Sequence, residues 1–198
     1  KEVTAQEVLA LKPHSILVAT GSNVISIPLE GLDQVQTVQA HDVLANDMQF
    51  ANKKVVVIGG GITGLETALY INRQGTNQVS VVDMLPEWPV DMLDMRYQNE
   101  ALLEVRHCND QGVALFYNNK VVKFADGKLF IESTKDGEVK ELPADVIVLS
   151  VGVKPNDALW QELLASGHPS VWKAGDAIAT GKINKAVLHG SKFGYSLN

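Results

Sequence analysis

The sequence predicts an α/β fold, a Rossmann-like parallel sheet carrying an antiparallel meander, joined to a second and partial α/β unit. Three observations predict it. A β-branched run at 54–58 opens directly into Gly59, Gly60, Gly61, Ile62, Thr63 and Gly64. A second apolar run follows a helix-like stretch within about 20 residues, which is the spacing of a parallel crossover unit. Farther on, Asp126-Gly127 and Asp136-Gly137 separate three short strand-like segments.

Residues 54–58 read as a buried strand, because an apolar run without polar alternation has both faces covered. From 62 to 73, Leu65, Ala68, Leu69 and Ile71 recur near helical spacing, and Gly75 follows the basic Arg73 as a stop, so a helix is expected. The run 79–83 then completes a parallel βαβ unit. A second helix over 93–107 and a short strand over 113–117 extend it to βαβαβ. Segments 120–124, 128–133 and 138–142 form the meander, since Asp-Gly between strand-like runs is the strongest short-range hairpin signal. Residues 146–150 return to the buried parallel type, all aliphatic up to Ser150.

The flanks carry a weak internal repeat. The aliphatic run before Thr20 and Gly21 resembles the run before Ser150 and Gly152, so two related α/β units are implied. The expected division is one unit over 48–152 and a second over 1–47 with 153–198. Strands 15–20 and 171–174 should lie side by side and parallel, and a helix should follow over 184–197. No strand, glycine turn and helix precede residue 15, and the first residue is Lys1, so the chain reads as a piece of a longer polypeptide. Its bare apolar strand edge is expected to favour self-association.

Composition narrows the function. The 198 residues are 45% hydrophobic and 20% charged, enough to bury a core. A formal charge of −6, from 17 Lys and Arg against 23 Asp and Glu, argues against sustained contact with nucleic-acid phosphates or an anionic membrane. The uncharged stretch 14–29 is broken by Gly21, Pro28, Ser, Thr and Asn, so it does not read as a membrane span, and no secretory leader pattern opens the chain. The lone Cys108 rules out an internal disulfide or a CxxC pair and suits a reducing, cytoplasmic setting.

Gly59-x-Gly61-x-x-Gly64 carries the chemistry. It follows an apolar strand, opens a helix, and has Asp83 at the end of the next strand, which is the context of a dinucleotide-binding turn. Gly59 permits the tight turn, Gly61 lets the backbone approach a pyrophosphate, and Gly64 lets the helix pack on the strand. The helix start adds free N–H groups and about half a positive charge. Asp83 would accept hydrogen bonds from the adenosine ribose, and a 2′-phosphate there would meet a like charge. At about 4 Å and an effective dielectric near 20, each unit of repulsion is ~4 kcal/mol before screening, so NAD(H) is expected over NADP(H). No compensating Arg follows closely, the first basic residue after Asp83 being Arg96.

The succession Ala19-Thr20-Gly21, Val55-Val56-Val57-Ile58-Gly59-Gly60-Gly61, Gly152 with Pro155-Asn156, and Ala174-Gly175-Asp176-Ala177 resembles pyridine-nucleotide-dependent flavoprotein oxidoreductases with two dinucleotide-binding domains. Gly64-Leu65-Glu66-Thr67-Ala68 and the closing 182–197 segment with Ala186 and Gly190 are similar to the C-terminal FAD/NAD(P)-binding region of the NADH:flavin oxidoreductases, among them 2,4-dienoyl-CoA reductase, 2-enoate reductase and trimethylamine dehydrogenase. The resemblance covers nearly the whole chain. It implies a partial FAD-type three-layer domain in the flanks, with Gly21 at the edge of the flavin site and Gly175 with Asp176 as the second flavin motif. It also implies an N-terminal barrel holding FMN and an iron–sulfur cluster as the partner region of the same polypeptide. The chain departs from that pattern in having no such barrel, no cysteine cluster and no first glycine motif for the ADP half of FAD.

The function expected is therefore the nicotinamide-nucleotide-binding region of a flavin-dependent oxidoreductase, in which NADH passes hydride to flavin. The alternative is a non-catalytic module that holds ADP or a dinucleotide. A disulfide reductase is disfavoured by the lone cysteine. The isolated chain is expected to bind nicotinamide nucleotide, to retain no FAD and to show no turnover. Trp88, Trp160 and Trp172 read first as packing residues, and a metal site at the five histidines, His189 included, is not expected. Glu66, one turn into the fingerprint helix, is a candidate neighbour of the nicotinamide, although the helix dipole alone favours an acid there.

Overall fold

In the computed structural model, which describes residues 1–86 and 95–197, the elements run as follows. Helix α1 spans Ala5–Ala10, and strands β1 Ile16–Val18, β2 Ser22–Val24 and β3 Gln36–Gln39 precede helix α2 at Ala40–Ala45. Strand β4 is Lys54–Ile58, helix α3 Ile62–Asn72, strand β5 Gln78–Val82, helix α4 Met95–Asp110 and strand β6 Ala114–Phe116. Strands β7 Asn119–Ala125, β8 Lys128–Ser133, β9 Val139–Pro143, β10 Val146–Leu149 and β11 Val153–Pro155 come next. Helix α5 Ala158–Ala165, strand β12 Val171–Lys173 and helix α6 Ile183–Ser196 close the chain.

The chain divides into two units, Ser26–Val151 and a unit made of Lys1–Ile25 with Gly152–Asn198. In the first, five strands form one parallel sheet in the order β3-β10-β4-β5-β6. The side chains of its central strands alternate between two cores. Val55, Val57, Val79, Val81, Val146 and Val148 pack on the helical face with Leu65, Leu69 and Ile71 of α3 and Val105 of α4. Val56, Ile58, Val82, Ile147 and Leu149 point the other way, against Phe124, Leu129 and Ile131 of the antiparallel sheet β7-β8-β9. Both faces are covered, which is why these strands read as continuous aliphatic runs. At roughly 1.5–3 kcal/mol for each fully buried aliphatic side chain, the two cores dominate the stability of this unit.

The division differs from the expected one at its first boundary, which falls at residue 26 instead of 48. Strand β3 pairs with β10 in register Val38↔Val148, and Ile27, Leu29, Leu32 and Val35 pack against the meander core. Phe124 N also donates to Glu30 O at 2.8 Å. The Gln-Thr-Val-Gln composition of β3 hides this edge strand from a hydrophobic pattern. Gly152, placed with the central unit by the sequence, falls in the flanking unit.

In the flanking unit β1 and β12 pair in parallel, Ile16↔Val171 to Val18↔Lys173, as expected from the sequence. Strands β2 and β11 pair antiparallel. Ile16, Val18 and Leu163 make a small core with Val8 and Leu9 of α1 and Leu159 and Trp160 of α5. Helix α1 starts at a capping box in which Thr4 and Glu7 satisfy each other's backbone amides, a signature present in the sequence but not used there. Helix α6 buries none of its residues, and the strand expected over 171–174 ends at Lys173, with a 3₁₀ helix following at Gly175–Ala177.

Candidate functional site

The glycine turn lies between β4 and α3. Gly59 sits at φ +110, and a Cβ on it would lie 2.2 Å from Ser150 O, so neither the backbone angle nor the space admits another residue. Gly59 N donates to Val82 O at 2.8 Å, and Ser150 N donates to Ile58 O at the same distance, tying the turn to both neighbouring strands. A Cβ on Gly64 would fall 1.9 Å from Gly59 O, so only glycine lets the first turn of α3 lie against the end of β4. Gly61 is the opposite case. It is the N-cap of α3 with ordinary extended angles and no side-chain cap, and a Cβ there would meet nothing within 4 Å. The amides of Ile62, Thr63 and Gly64 precede the first intrahelical bond, Leu65 N to Gly61 O at 3.0 Å, and so supply the donors and positive dipole end of the helix.

Asp83, at the end of β5, is held against the turn. Its Oδ2 accepts from Gly60 N at 2.6 Å and its Oδ1 from Leu85 N at 2.8 Å. Each carboxylate oxygen has a second lone-pair direction, so bracing the turn leaves acceptor capacity for two hydroxyl donors. The sequence reading assigned Asp83 to a ribose alone; the structure adds its grip on Gly60.

A cleft of about 440 Å³ opens beside these residues. Gly59, Gly61, Asp83 and Ser150 line it together with apolar walls from Ile27, Ile58, Val82, Leu85, Val121 and Val151, and Asn119 and Lys120 come from the start of β7. Lys120 Nζ is 2.8 Å from Glu132 Oε1. Sequence reasoning missed Asn119, Lys120 and Ile27, because nothing in their local pattern announces that the first meander strand and the 26–35 segment fold back beside the turn. Counting basic residues along the chain after Asp83 likewise missed Lys120, which is distant in sequence and shares its cleft. The turn fits a dinucleotide phosphate on structural grounds. There is open room at Gly61, aligned helix amides, and a braced acid beside them.

The flavin candidates fall in the flanking unit. Asp176 accepts from Ser22 Oγ at 3.5 Å and from Gly181 N at 3.1 Å, and Asn156 N donates to Gly21 O at 3.0 Å. Gly21, Asn156, Gly175 and Asp176 are thereby gathered near the carboxyl ends of β1 and β12. Gly152 lies at the other end of the β2/β11 ladder, its carbonyl accepting from Ile25 N at 3.0 Å. The Gly-x-Gly-x-x-Gly pattern occurs once in the sequence, in the 26–151 unit, so the flanking unit has no such turn for an ADP phosphate.

The remaining candidates settle as packing residues or stand apart from the cleft. Trp160 carries Lys173 Nζ 4.1 Å above its ring, with Asp157 Oδ2 2.9 Å from the same ammonium. Trp172 meets Phe193 edge-on at 5.9 Å. Cys108 is buried against α3, and burial, with the Glu104 carboxylate, pushes its thiol up to about 11. Glu66 is exposed on α3 and does not line the cleft. Trp88 lies outside the described residues. Among the described residues no cluster of three metal-ligating side chains occurs, and no helix is long and apolar enough to cross a membrane.

Residues 1–190 match the pyridine nucleotide-disulphide oxidoreductase family. The chain belongs to that family. It is 31% identical over 201 residues to an NADH oxidase of Thermoanaerobacter brockii, a match covering 98% of this chain and 29% of the relative. It is 34% identical to a bilirubin reductase of Mediterraneibacter gnavus, over 77% of this chain and 22% of that protein. Among solved structures, that of a 2-naphthoyl-CoA reductase complex superposes with a TM-score of 0.82 at 25% identity, covering 98% of this chain and 28% of the other. The chain thus spans less than a third of these relatives. The resemblance to NADH:flavin oxidoreductases read from the sequence is borne out, as is membership in a family of flavin-dependent oxidoreductases.

Proposed function

We propose that the 26–151 unit binds NADH with its pyrophosphate at the start of α3. On this reading the chain is the nicotinamide-nucleotide-binding region of a flavin-dependent oxidoreductase. The observation that carries it is the turn itself, where Gly59 and Gly64 are forced by sterics while Gly61 faces open space beside free helix amides. A structural turn needs the first two glycines and has no use for the third. Bound NADH supplies the hydride that reduces flavin. The chain's own part is to hold the nucleotide: α3 amides on the phosphates, Asp83 on the ribose, and an apolar cleft beside them for the rest. Gly21, Gly175 and Asp176 would contact flavin, and FMN with an iron–sulfur cluster would belong to a barrel region this chain does not include.

Selectivity for NADH over NADPH is part of the proposal. Among the described residues Lys120 is the cation that lines the cleft, and its pairing with Glu132 at 2.8 Å leaves the Asp83 carboxylate as the charge a 2′-phosphate would meet. Calorimetric titration with NADH, NADPH and ADP is the test. NADH should bind at least about tenfold more tightly than NADPH, a difference of ~1.4 kcal/mol. Equal affinities would remove Asp83 from the ribose site; no binding of NADH or ADP would overturn the nucleotide reading altogether.

A further inference from the structure

Glu132 does not line the cleft, yet it stands directly across the antiparallel ladder from Lys120, which does. Cross-strand neighbours hold their Cβ atoms about 5 Å apart, near enough for long side chains to meet. These two meet, with Lys120 Nζ 2.8 Å from Glu132 Oε1. Their side chains are 50% and 32% exposed, so this is a surface ion pair that can be broken without unfolding the meander. Lys120 is also close to the acid assigned to the ribose. Asn119 N donates to Asp83 O at 2.9 Å, and covalent geometry then places the Lys120 Cα within roughly 8 Å of that oxygen. A lysine side chain is flexible and spans roughly 6 Å, so its ammonium can be delivered to the Asp83 side of the cleft once nothing holds it elsewhere.

We propose that Glu132 is a positioning residue for cofactor choice, disfavouring NADPH by keeping Lys120 occupied. This rests on the nucleotide reading above. A 2′-phosphate brings about two negative charges to the Asp83 side of the cleft, and among the described cleft residues the charge able to offset them is the Lys120 ammonium. While Glu132 holds that ammonium, turning it toward a phosphate means giving up the ion pair. A ribose hydroxyl is neutral, so NADH has no use for the cation. Removing the Glu132 carboxylate therefore acts on NADPH alone, through Lys120. Exposed ion pairs are weak, which makes the effect several-fold and leaves Asp83 as the larger determinant.

The test is calorimetric titration of NADPH and NADH into the chain, Glu132→Gln, Lys120→Gln and the double variant at low salt. Glu132→Gln keeps the shape and removes the charge; it should bind NADPH about three- to fivefold more tightly than the unsubstituted chain, with NADH affinity unchanged. The gain should shrink as salt is raised, a response that a purely structural role for Glu132 would not give. In the Lys120→Gln background, Glu132→Gln should no longer raise NADPH affinity. Unchanged NADPH affinity in a folded Glu132→Gln would overturn the assignment. A gain that persists without Lys120 would overturn it as well, since the Glu132 charge would then act by itself. Weaker NADH binding with no gain for NADPH would do the same, the freed Lys120 having turned to Asp83. Those three results leave the nucleotide site standing, whereas absence of NADH and NADPH binding by the unsubstituted chain would overturn both proposals together. Should Glu132→Gln fail to fold, Glu132→Thr, an uncharged strand former, carries the same test.

Discussion

Two substitutions three residues apart in the glycine turn should separate stability from nucleotide binding, Gly64→Ala weakening the fold and Gly61→Val sparing the fold while weakening binding. Gly64→Ala places a Cβ 1.9 Å from Gly59 O and 3.1 Å from its carbon, both backbone atoms that cannot swing aside. Relieving that contact moves the first turn of α3 off β4 by roughly 1 Å, an overpacking cost of ~1–3 kcal/mol, against which alanine's helix propensity returns ~1 kcal/mol. The fold should lose up to about 2 kcal/mol. Gly61→Val adds its side chain to open space at φ −69 and ψ 173, angles any residue adopts. Losing glycine at an N-cap costs up to ~1 kcal/mol, and the stiffer unfolded chain returns a similar amount, so stability should change by less than about 0.5 kcal/mol. Its branched side chain nevertheless occupies the ground where a pyrophosphate must lie, so NADH and ADP affinity should fall by more than about tenfold. Urea denaturation gives the stabilities and calorimetry the affinities. Unchanged affinity in Gly61→Val would mean that the open space is not a phosphate cradle, and unchanged stability in Gly64→Ala would mean that the packing of α3 on β4 is looser than described.

Cys108 should resist a water-soluble thiol reagent at pH 8 in the folded chain and react once urea unfolds it, because the thiol is buried and held neutral up to about 11. Its raised value favours the folded state fully below its ordinary 9.0, and that contribution is lost as pH rises from 9.0 toward about 11; the loss should be absent in Cys108→Ala when denaturation midpoints are compared across that range. Leu129→Ala, at a fully buried position under the parallel sheet, should cost about 2–5 kcal/mol in urea denaturation, whereas Leu103→Ala, half exposed on α4, should stay within about 0.5 kcal/mol. After incubation with excess FAD and desalting, the chain should retain no stoichiometric flavin by absorbance and should not oxidise NADH; retained flavin with activity would show that the flanking unit completes a flavin site without a glycine turn of its own.

Much of the central unit was legible because its signals are local. Strand β4, the glycine turn, α3 and β5 follow from an aliphatic run, three spaced glycines and a helical period, each set by steric and burial rules that act within a few residues. The meander was readable for the same reason, since Asp126 and Gly127 both sit at positive φ, which is what an Asp-Gly hairpin turn demands. Elements whose stability comes from distant partners were not readable. Strand β3 is polar and edge-lying, and only its pairing to β10 makes it a strand.

The site divides along the same line. Sequence alone determined which glycines form the turn and that an acid ends the next strand, because those requirements belong to one continuous segment. Only the tertiary structure decided that Asp83 grips Gly60 N as well as facing the cleft, and that Lys120 stands near it already paired with Glu132. These depend on β7 returning to the end of β5 after a whole helix and strand have intervened. A hydrogen bond formed across such a loop leaves no periodic trace in the residues that make it.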